Sequence, residues 1–265
     1  MKIVVCIKQV PEGDARLRID ADGASIVEGD VATEINESDQ FALEAGLRLA
    51  EGGGDGGEVV VACLGSERAE EAIRRALAMG ATRAIHLADP AFQGGDAGAT
   101  ARALAAAIKP EQPDLVLTGL QSDDAGWAQT GVILAARLGW PSATLIMEIE
   151  PPQDGRIKVK RELEGGWFQW VTLPLPAVLT IQSGINTVRY ATLKGIMGAK
   201  KKEIRKVAPA DLGADAGRVG KAGRKIEVTR LYVPEKTKGA ELIDGDAATA
   251  AATLVDKLQK EAKVL

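Results

Sequence analysis

The sequence predicts a doubly wound α/β layer with an antiparallel hairpin at one edge and a C-terminal arm. Three observations predict it. Short apolar runs recur at Lys2–Ile7, Glu58–Leu64, 84–87 and 114–118. Between them lie segments whose apolar residues recur at helical spacing. After Ala143 the helical pattern stops, and strand-like runs follow one another across Pro- and Gly-rich turns. Short strands that are apolar throughout belong to parallel sheets covered on both faces. Right-handed crossovers then give a Rossmann-like sheet wound on both sides. Ligands of such sheets sit beyond the carboxyl ends of the strands, where strand order reverses, so the loops after Ile7 and Thr118 are the candidate site.

The elements follow in order. Lys2–Ile7 is dominated by Val and Ile, whose branched side chains suit a strand. Residues 37–49 place Phe41, Ala42, Ala45, Leu47 and Leu49 in a rough helical stripe, and Asn36 stands where an N-cap belongs. Glu58–Leu64 is again short and apolar. Residues 67–79 read as a helix, with Ser66 as N-cap and Gly80 as its stop. Residues 84–87 are a brief strand, and Ala97–Ile108 is an alanine-rich helix ended by Pro110. Residues 114–118 are a strand and Thr130–Leu138 a helix. Beyond Ala143, strands are expected at 144–150, 157–164, 167–173 and 177–182, a hairpin or meander added to the sheet. From about Ala208, Gly, Ala and charge increase. An arm is expected there, too poor in apolar residues for its own core, lying on this domain or on a partner and ending in a helix over 247–258.

Composition narrows the function. A chain of 265 residues holds one large domain with appendages or two small ones. Hydrophobic residues at 46% and charged residues at 26% mark a globular chain. The net charge of −4 gives no reason to expect nucleic acid. The basic cluster of Lys200, Lys201, Lys202, Arg205 and Lys206 is local and reads as a solvated helix end. Cys6 and Cys63 each sit in an apolar run without CxxC spacing, which points to structural thiols. His86 is the one histidine, so neither a Ser-His-Asp triad nor a zinc site is supported. No apolar run is long enough to span a membrane, and the N-terminus enters a strand without the shape of a signal peptide. A cytoplasmic protein, or a matrix protein without its presequence, is expected.

No Walker GxxxxGK[ST] pattern occurs, and the glycine run at 52–57 precedes a strand where a dinucleotide fingerprint would follow one. The segment 119–130 has the right context, leaving a strand and entering a helix whose N-terminal N–H groups and dipole favour a phosphate. Gln121, Ser122, Gln129 and Thr130 offer side-chain hydrogen bonds there. Asp123 and Asp124 oppose a phosphate unless they point away, toward ribose hydroxyls or helix-terminal amides. By composition alone this is equally an ordinary loop-to-helix turn. Trp127 packs over a ligand or merely caps the loop, and packing against a neighbouring subunit is the expectation, whereas Trp140, Trp167 and Trp170 read as core or interface. Leu193, between Thr192 and Lys194 ahead of the lysine run, is either a docking tip or a leucine folded back on its own domain.

Residues 161–202, with RELEGG, LPAVLTIQSGIN and RYATLKGIMGAKKK, resemble the signature of the small (beta) subunit of electron-transfer flavoproteins. The likeness continues in NESDQFALEAGLRL at 36–49, EEAIRRALAMGATRAIHL at 70–87 and GLQSDDAGWAQTG at 119–131, so it covers nearly the whole chain. The QSDDAGWAQTG loop and the tail at 233–245 most resemble the branch that serves methylamine-type dehydrogenases. The resemblance implies a fold of adenine-nucleotide-binding type and a tightly bound AMP. The residues it implies for the nucleotide are Cys6, Asn36, Asp39, Leu64, Gly65, Gly119, Gln121, Ser122, Asp123, Asp124, Gln129 and Thr130. It makes Leu193 the recognition leucine that inserts into a flavoprotein dehydrogenase. Gly13 falls near the place where the family often carries an aromatic residue close to the flavin.

The implied organisation is an AMP-binding domain over 1–187, a partner-recognition loop and basic segment over 188–207, and an arm over 208–265 that packs on an alpha subunit. The implied function is that of an electron carrier subunit, not an enzyme. It would shuttle electrons from a dehydrogenase to a downstream quinone oxidoreductase, with FAD held mostly by the alpha subunit and no membrane insertion. Two alternatives stand beside it: a bifurcating flavoprotein with a second FAD in place of AMP, and a stand-alone ATP-binding module of the same general fold.

Overall fold

The computed structural model describes residues 1–27, 29, 31–54, 56–234 and 239–265. Position 55 of the glycine run and positions 235–238 of the 233–245 tail lie outside the described residues. The first half runs β1 (Lys2–Ile7), β2 (Gln9–Pro11), β3 (Thr33–Ile35), α1 (Glu37–Gly52), β4 (Glu58–Leu64), α2 (Glu70–Met79), β5 (Arg83–Leu87), α3 (Ala97–Ile108), β6 (Leu115–Gly119) and α4 (Thr130–Leu138). Then come β7 (Ser142–Ile149), β8 (Arg156–Glu162), β9 (Phe168–Pro174), β10 (Ala177–Ile181), α5 (Leu193–Ala199), β11 (Ile204–Lys206), α6 (Gly220–Gly223) and α7 (Ala247–Lys257).

Among the described residues nine strands form one sheet in the order β11-β5-β4-β1-β6-β10-β7-β8-β9. It is parallel from β11 to β7, and β8 and β9 close it antiparallel, the expected addition at the edge. The alternation of side chains along a strand divides β1 between two cores. Ile3, Val5 and Ile7 pack with Leu43 of α1 and Ile73 and Leu77 of α2. Val4 and Cys6 pack with Leu104 and Ile108 of α3 and Leu134 of α4. Helices cover both faces, which is why the strand is apolar from Ile3 to Ile7. Each such side chain stabilises the fold by about 1.5–3 kcal/mol when fully buried. From β1 the winding proceeds to β4 and β5 on one side, and from β6 to β10 and β7 on the other. Strand order reverses at the β1/β6 pair, and a crevice opens at their carboxyl ends.

The bounds of α3 and α4 agree with those read from the sequence, while β6 starts one residue later than expected. The helix expected over 67–79 opens with a 3-10 turn, Glu67–Ala69, and the Ser66 side chain makes no cap bond. Three elements carry no clear sequence signal: the separate β2–β3 ribbon, α5 and β11. The basic cluster is not simply solvated. Lys202 Nζ donates to the carbonyls of Leu77 (2.9 Å) and Ala81 (2.6 Å), Arg205 pairs with Glu111, and Lys206 with Glu67.

The outer strand β9 presents Phe168 and Trp170 as exposed side chains, and Trp167 is exposed just before it. Lys158 Nζ lies 4.6 Å from the Trp170 ring centroid and Lys160 Nζ 4.6 Å from that of Phe168. The segment after β11 divides. Val207, Leu212 and Val219 are buried against the core under α3, and Arg102 pairs with Asp215 at 3.0 Å. Farther on, α7 buries no residue.

Candidate functional site

Asp39 spans the crevice. It lies in the first turn of α1, and its two carboxylate oxygens accept the N–H groups of Gly119 and Lys8, each at 2.8 Å. Those residues stand at the carboxyl ends of β6 and β1, so one buried side chain ties the two strands at the point of reversal. Burial pushes its pKa up to about 7, against the opposing pull of the Lys8 and Gly119 N–H groups.

The two acids of the 119–130 loop are both engaged by other groups. Asp123 Oδ2 accepts the Glu37 N–H at 3.0 Å and caps α1 from across the site. Asp124 pairs with Lys8 Nζ at 2.6 Å. Burial alone would raise the Asp124 pKa, but the Lys8 ammonium outweighs it and holds the carboxyl below its ordinary range. Asn36 departs from the simple expectation. It occupies the N-cap position of α1 without a side-chain cap bond. Its Oδ1 accepts the Asp123 N–H at 2.8 Å, and its Nδ2 donates to the Gln121 carbonyl at 2.8 Å and to Ser38 Oγ at 3.0 Å. Turn backbone has no ladder partner, so these side chains satisfy it instead.

No side chain caps α4, which leaves its first-turn N–H groups for a ligand. A Cβ on Gly131 would lie 2.6 Å from both Thr118 Oγ1 and Thr180 Cγ2, so only glycine lets this turn close on β6 and β10. Ala128, just before it, has φ 52, a left-handed conformation that costs a non-glycine residue about 1–2 kcal/mol.

These elements enclose a cavity of about 330 Å³. Of the residues singled out in the sequence, Cys6, Asn36, Asp39, Gly119, Gln121, Ser122, Gln129 and Thr130 line it, as does Trp127. Leu64, Gly65 and Asp124 line an adjoining hollow of about 340 Å³, and Lys8 lines both. Asp123 lines neither. Sequence reasoning missed the Lys8 side chain, Asp96 and Val228, which come to the cavity from distant segments. A larger groove, about 690 Å³, lies at the amino-terminal ends of the strands. Much of its polar lining is engaged, Arg48 with Glu44, Asp114 with the Lys2 N–H and Asn186 Nδ2 with the Phe41 carbonyl, while Asn186 Oδ1 is buried without a partner.

The cavity is suited to binding. Burial raises both thiols, Cys63 to about 12, so neither is a ready nucleophile. His86 is buried at the end of β5 with Nε2 3.2 Å from the Ser66 carbonyl, burial lowers its pKa, and it lines neither hollow. Among the described residues no group of side chains is arranged to hold a metal ion.

Leu193 lies on the α2 side of the sheet. It opens α5, a short helix where the sequence suggested a loop, and Thr192 Oγ1 caps it by accepting the Gly195 N–H at 3.0 Å. Leu193, Ile196 and Met197 fall on one helical face and are exposed, with Tyr190 beside them. The opposite face is fixed. A Cβ on Gly195 would lie 2.3 Å from the Ala78 carbonyl oxygen, so α5 approaches α2 as closely as backbone allows. Arg74 Nη1 donates to the carbonyls of Ala199 and Lys202. Upstream, Arg189 brackets α1 through Glu44 (2.7 Å) and Glu51 (2.6 Å). Burial alone would raise the Glu44 pKa, but Arg189 and Arg48 outweigh it and the net shift is down.

A doubly wound sheet with a lined cavity at its point of strand reversal defines a Rossmann-like α/β protein. The electron transfer flavoprotein domain family matches residues 24–212. The chain is 41% identical over 256 residues to electron transfer flavoprotein subunit beta of Methylophilus methylotrophus, covering 96% of this chain and 97% of that one. It is 38% identical to the subunit beta of Bradyrhizobium diazoefficiens over the full length of both. It is 35% identical to the caffeyl-CoA reductase-Etf complex subunit CarD of Acetobacterium woodii, over 98% of this chain and 99% of that one. The chain belongs to the electron transfer flavoprotein subunit beta family.

Proposed function

We propose that this chain is the beta subunit of a heterodimeric carrier that takes electrons from a flavoprotein dehydrogenase and delivers them to a respiratory acceptor such as a quinone oxidoreductase. Residues 1–187 hold AMP, 188–207 recognise the dehydrogenase, and the arm within 208–265 reaches an alpha subunit that holds most of the FAD. The bound flavin supplies the electron chemistry, and this chain supplies binding and orientation. We place the carrier in the cytoplasm; among the described residues no helix is long and apolar enough to cross a membrane.

The observation that carries the reading is the convergence of eight sequence-predicted residues on one cavity at the β1/β6 crevice. Its volume of about 330 Å³ is at the small end for ligand sites, which suits a mononucleotide. The uncapped α4 N-terminus and the Gly131 close approach offer the phosphate a cradle of N–H groups, while Asp123 and Asp124 are bound elsewhere. Asn36, Asp39, Gly119, Gln121, Ser122, Gln129 and Thr130 surround it; Cys6, Leu64 and Gly65 lie on the side of the adenine. Denaturing the purified heterodimer and separating the released nucleotides tests this. One FAD and one AMP per complex are expected, and FAD with no further adenine nucleotide refutes the AMP site.

A second reading is favoured by the adjoining hollow and by the likeness to CarD. Lys8 lines both spaces, so opening the Lys8–Asp124 pair would join them into room for a dinucleotide. Release of two FAD per complex would establish that bifurcating-type arrangement.

A further inference from the structure

The arm returns to the cavity before it leaves the domain. Asp96, buried at the N-terminus of α3, divides its carboxylate between the two. Oδ1 accepts the Ala99 N–H at 2.8 Å and caps the helix. Oδ2 accepts the N–H groups of Lys225 at 2.8 Å and Ile226 at 3.2 Å. Two residues on, Val228 lines the cavity together with Asp96, Ala97 and Thr100. The arm is held on both sides of that contact. Upstream, the Lys221 N–H donates to the Gln93 carbonyl at 3.1 Å; downstream, the Leu231 N–H donates to the Gly23 carbonyl at 2.7 Å. Neither Asp96 nor Val228 belongs to the nucleotide set drawn from the sequence.

We propose that Asp96 is a positioning residue that holds Lys225 and Ile226 so that Val228 closes one wall of the nucleotide cavity, and that bound nucleotide exchanges only when this wall lifts. The inference rests on the reading of the cavity as an AMP site. The arm itself is exposed on its outer side, so few apolar contacts hold it down there. Two hydrogen bonds to one carboxylate are then a large share of what keeps it seated, since bonds to a charged acceptor are stronger than neutral ones. Losing both raises the open population about tenfold or more, and the exchange rate rises with it.

The test uses the intact heterodimer carrying Asp96→Ser or Val228→Gly. Serine keeps an oxygen for the Ala99 N–H, so α3 stays capped, but offers no second oxygen to the arm. Complexes loaded with radiolabelled AMP are chased with unlabelled AMP, and loss of label is followed beside the melting temperature. Release about tenfold faster or more from both variants is expected, with FAD content unchanged. Release from Asp96→Ser at the wild-type rate overturns the proposal, including when its melting temperature falls, because that is the signature of a merely structural residue. Should Asp96→Ser fail to assemble, the release rate of Val228→Gly decides alone. A wild-type complex that contains no adenine nucleotide beyond FAD refutes the AMP reading itself and this inference with it. A wild type that holds AMP, with variants that release it no faster, refutes the wall alone.

Discussion

Leu193→Ala separates a docking residue from a core residue by magnitude. Leu193 is 75% exposed, so three quarters of its apolar surface is available to a partner and one quarter already serves its own domain. The substitution removes three carbons, about 2.4 kcal/mol of transfer free energy at about 0.8 kcal/mol per buried methylene. Divided by that exposure, about 1.8 kcal/mol falls on binding, roughly twentyfold in Kd, and about 0.6 kcal/mol on folding. For a chain of this size the folding share lowers the melting temperature by about one or two degrees. The assay titrates the heterodimer against its dehydrogenase, follows flavin reduction by stopped flow, and records a thermal melt on the same sample. AMP and FAD contents stay constant, because Leu193 lines neither cavity. A melting temperature ten degrees lower with an unchanged Kd would refute the reasoning and return Leu193 to the core.

Other consequences are open to measurement. Gly195→Val drives a side chain into the Ala78 carbonyl, lifting α5 from α2; docking should weaken about tenfold or more, stability should fall by about 1–3 kcal/mol, and AMP should stay bound, as titration, melting and nucleotide release will report. Ending the chain after Leu231 removes α7 and should weaken association with the alpha subunit on gel filtration while the domain's circular dichroism melt is retained. Ending it before Val207 also strips Val207, Leu212 and Val219 from the core and should lower that melt. Asp39 has a folded pKa of about 7, above its unfolded value of about 4, so the folded chain binds this proton more tightly. Its contribution therefore favours folding at low pH and is lost as pH rises from about 4 to about 7. Asp39→Asn removes that dependence. Denaturant midpoints should show wild type losing stability relative to the variant across this window, by up to about 1.4 kcal/mol per pH unit; the opposite slope would show a carboxylate stabilised in its charged form.

The layer was legible because its signals are local. Helix α3 has its Asp96 cap and α4 its Gly139 stop at their own ends, both bury apolar residues at helical spacing, and β1 is apolar from Ile3 to Ile7 because both faces are covered. The cavity was legible in outline, since a loop between a strand and a helix has a known use in this topology. Its detailed bonding was not. Asn36 has the composition of a helix cap, yet it bonds to Gln121 and Asp123, more than eighty residues away. Lys8 and Asp124 are likewise 116 positions apart, and Asp96 meets Lys225 across 129. No spacing rule reaches that far. Helix α5 was hidden for another reason: two of its seven residues are glycines, poor helix formers, of which Gly195 serves the close approach to α2.

The uncovered outer strand bears on how the cell must make this protein. Phe168 and Trp170 stand on the last strand of the sheet, with Trp167 at 74% exposure just before it, and among the described residues no further strand pairs with that edge. An orphaned copy therefore offers an aromatic template on which other chains can build. The flanking lysines that lie over these rings act as gatekeepers, because stacking a second edge there brings like charges together. During synthesis this edge is therefore guarded by charge rather than by burial, and raised salt, which screens the lysines, should increase association of the free chain.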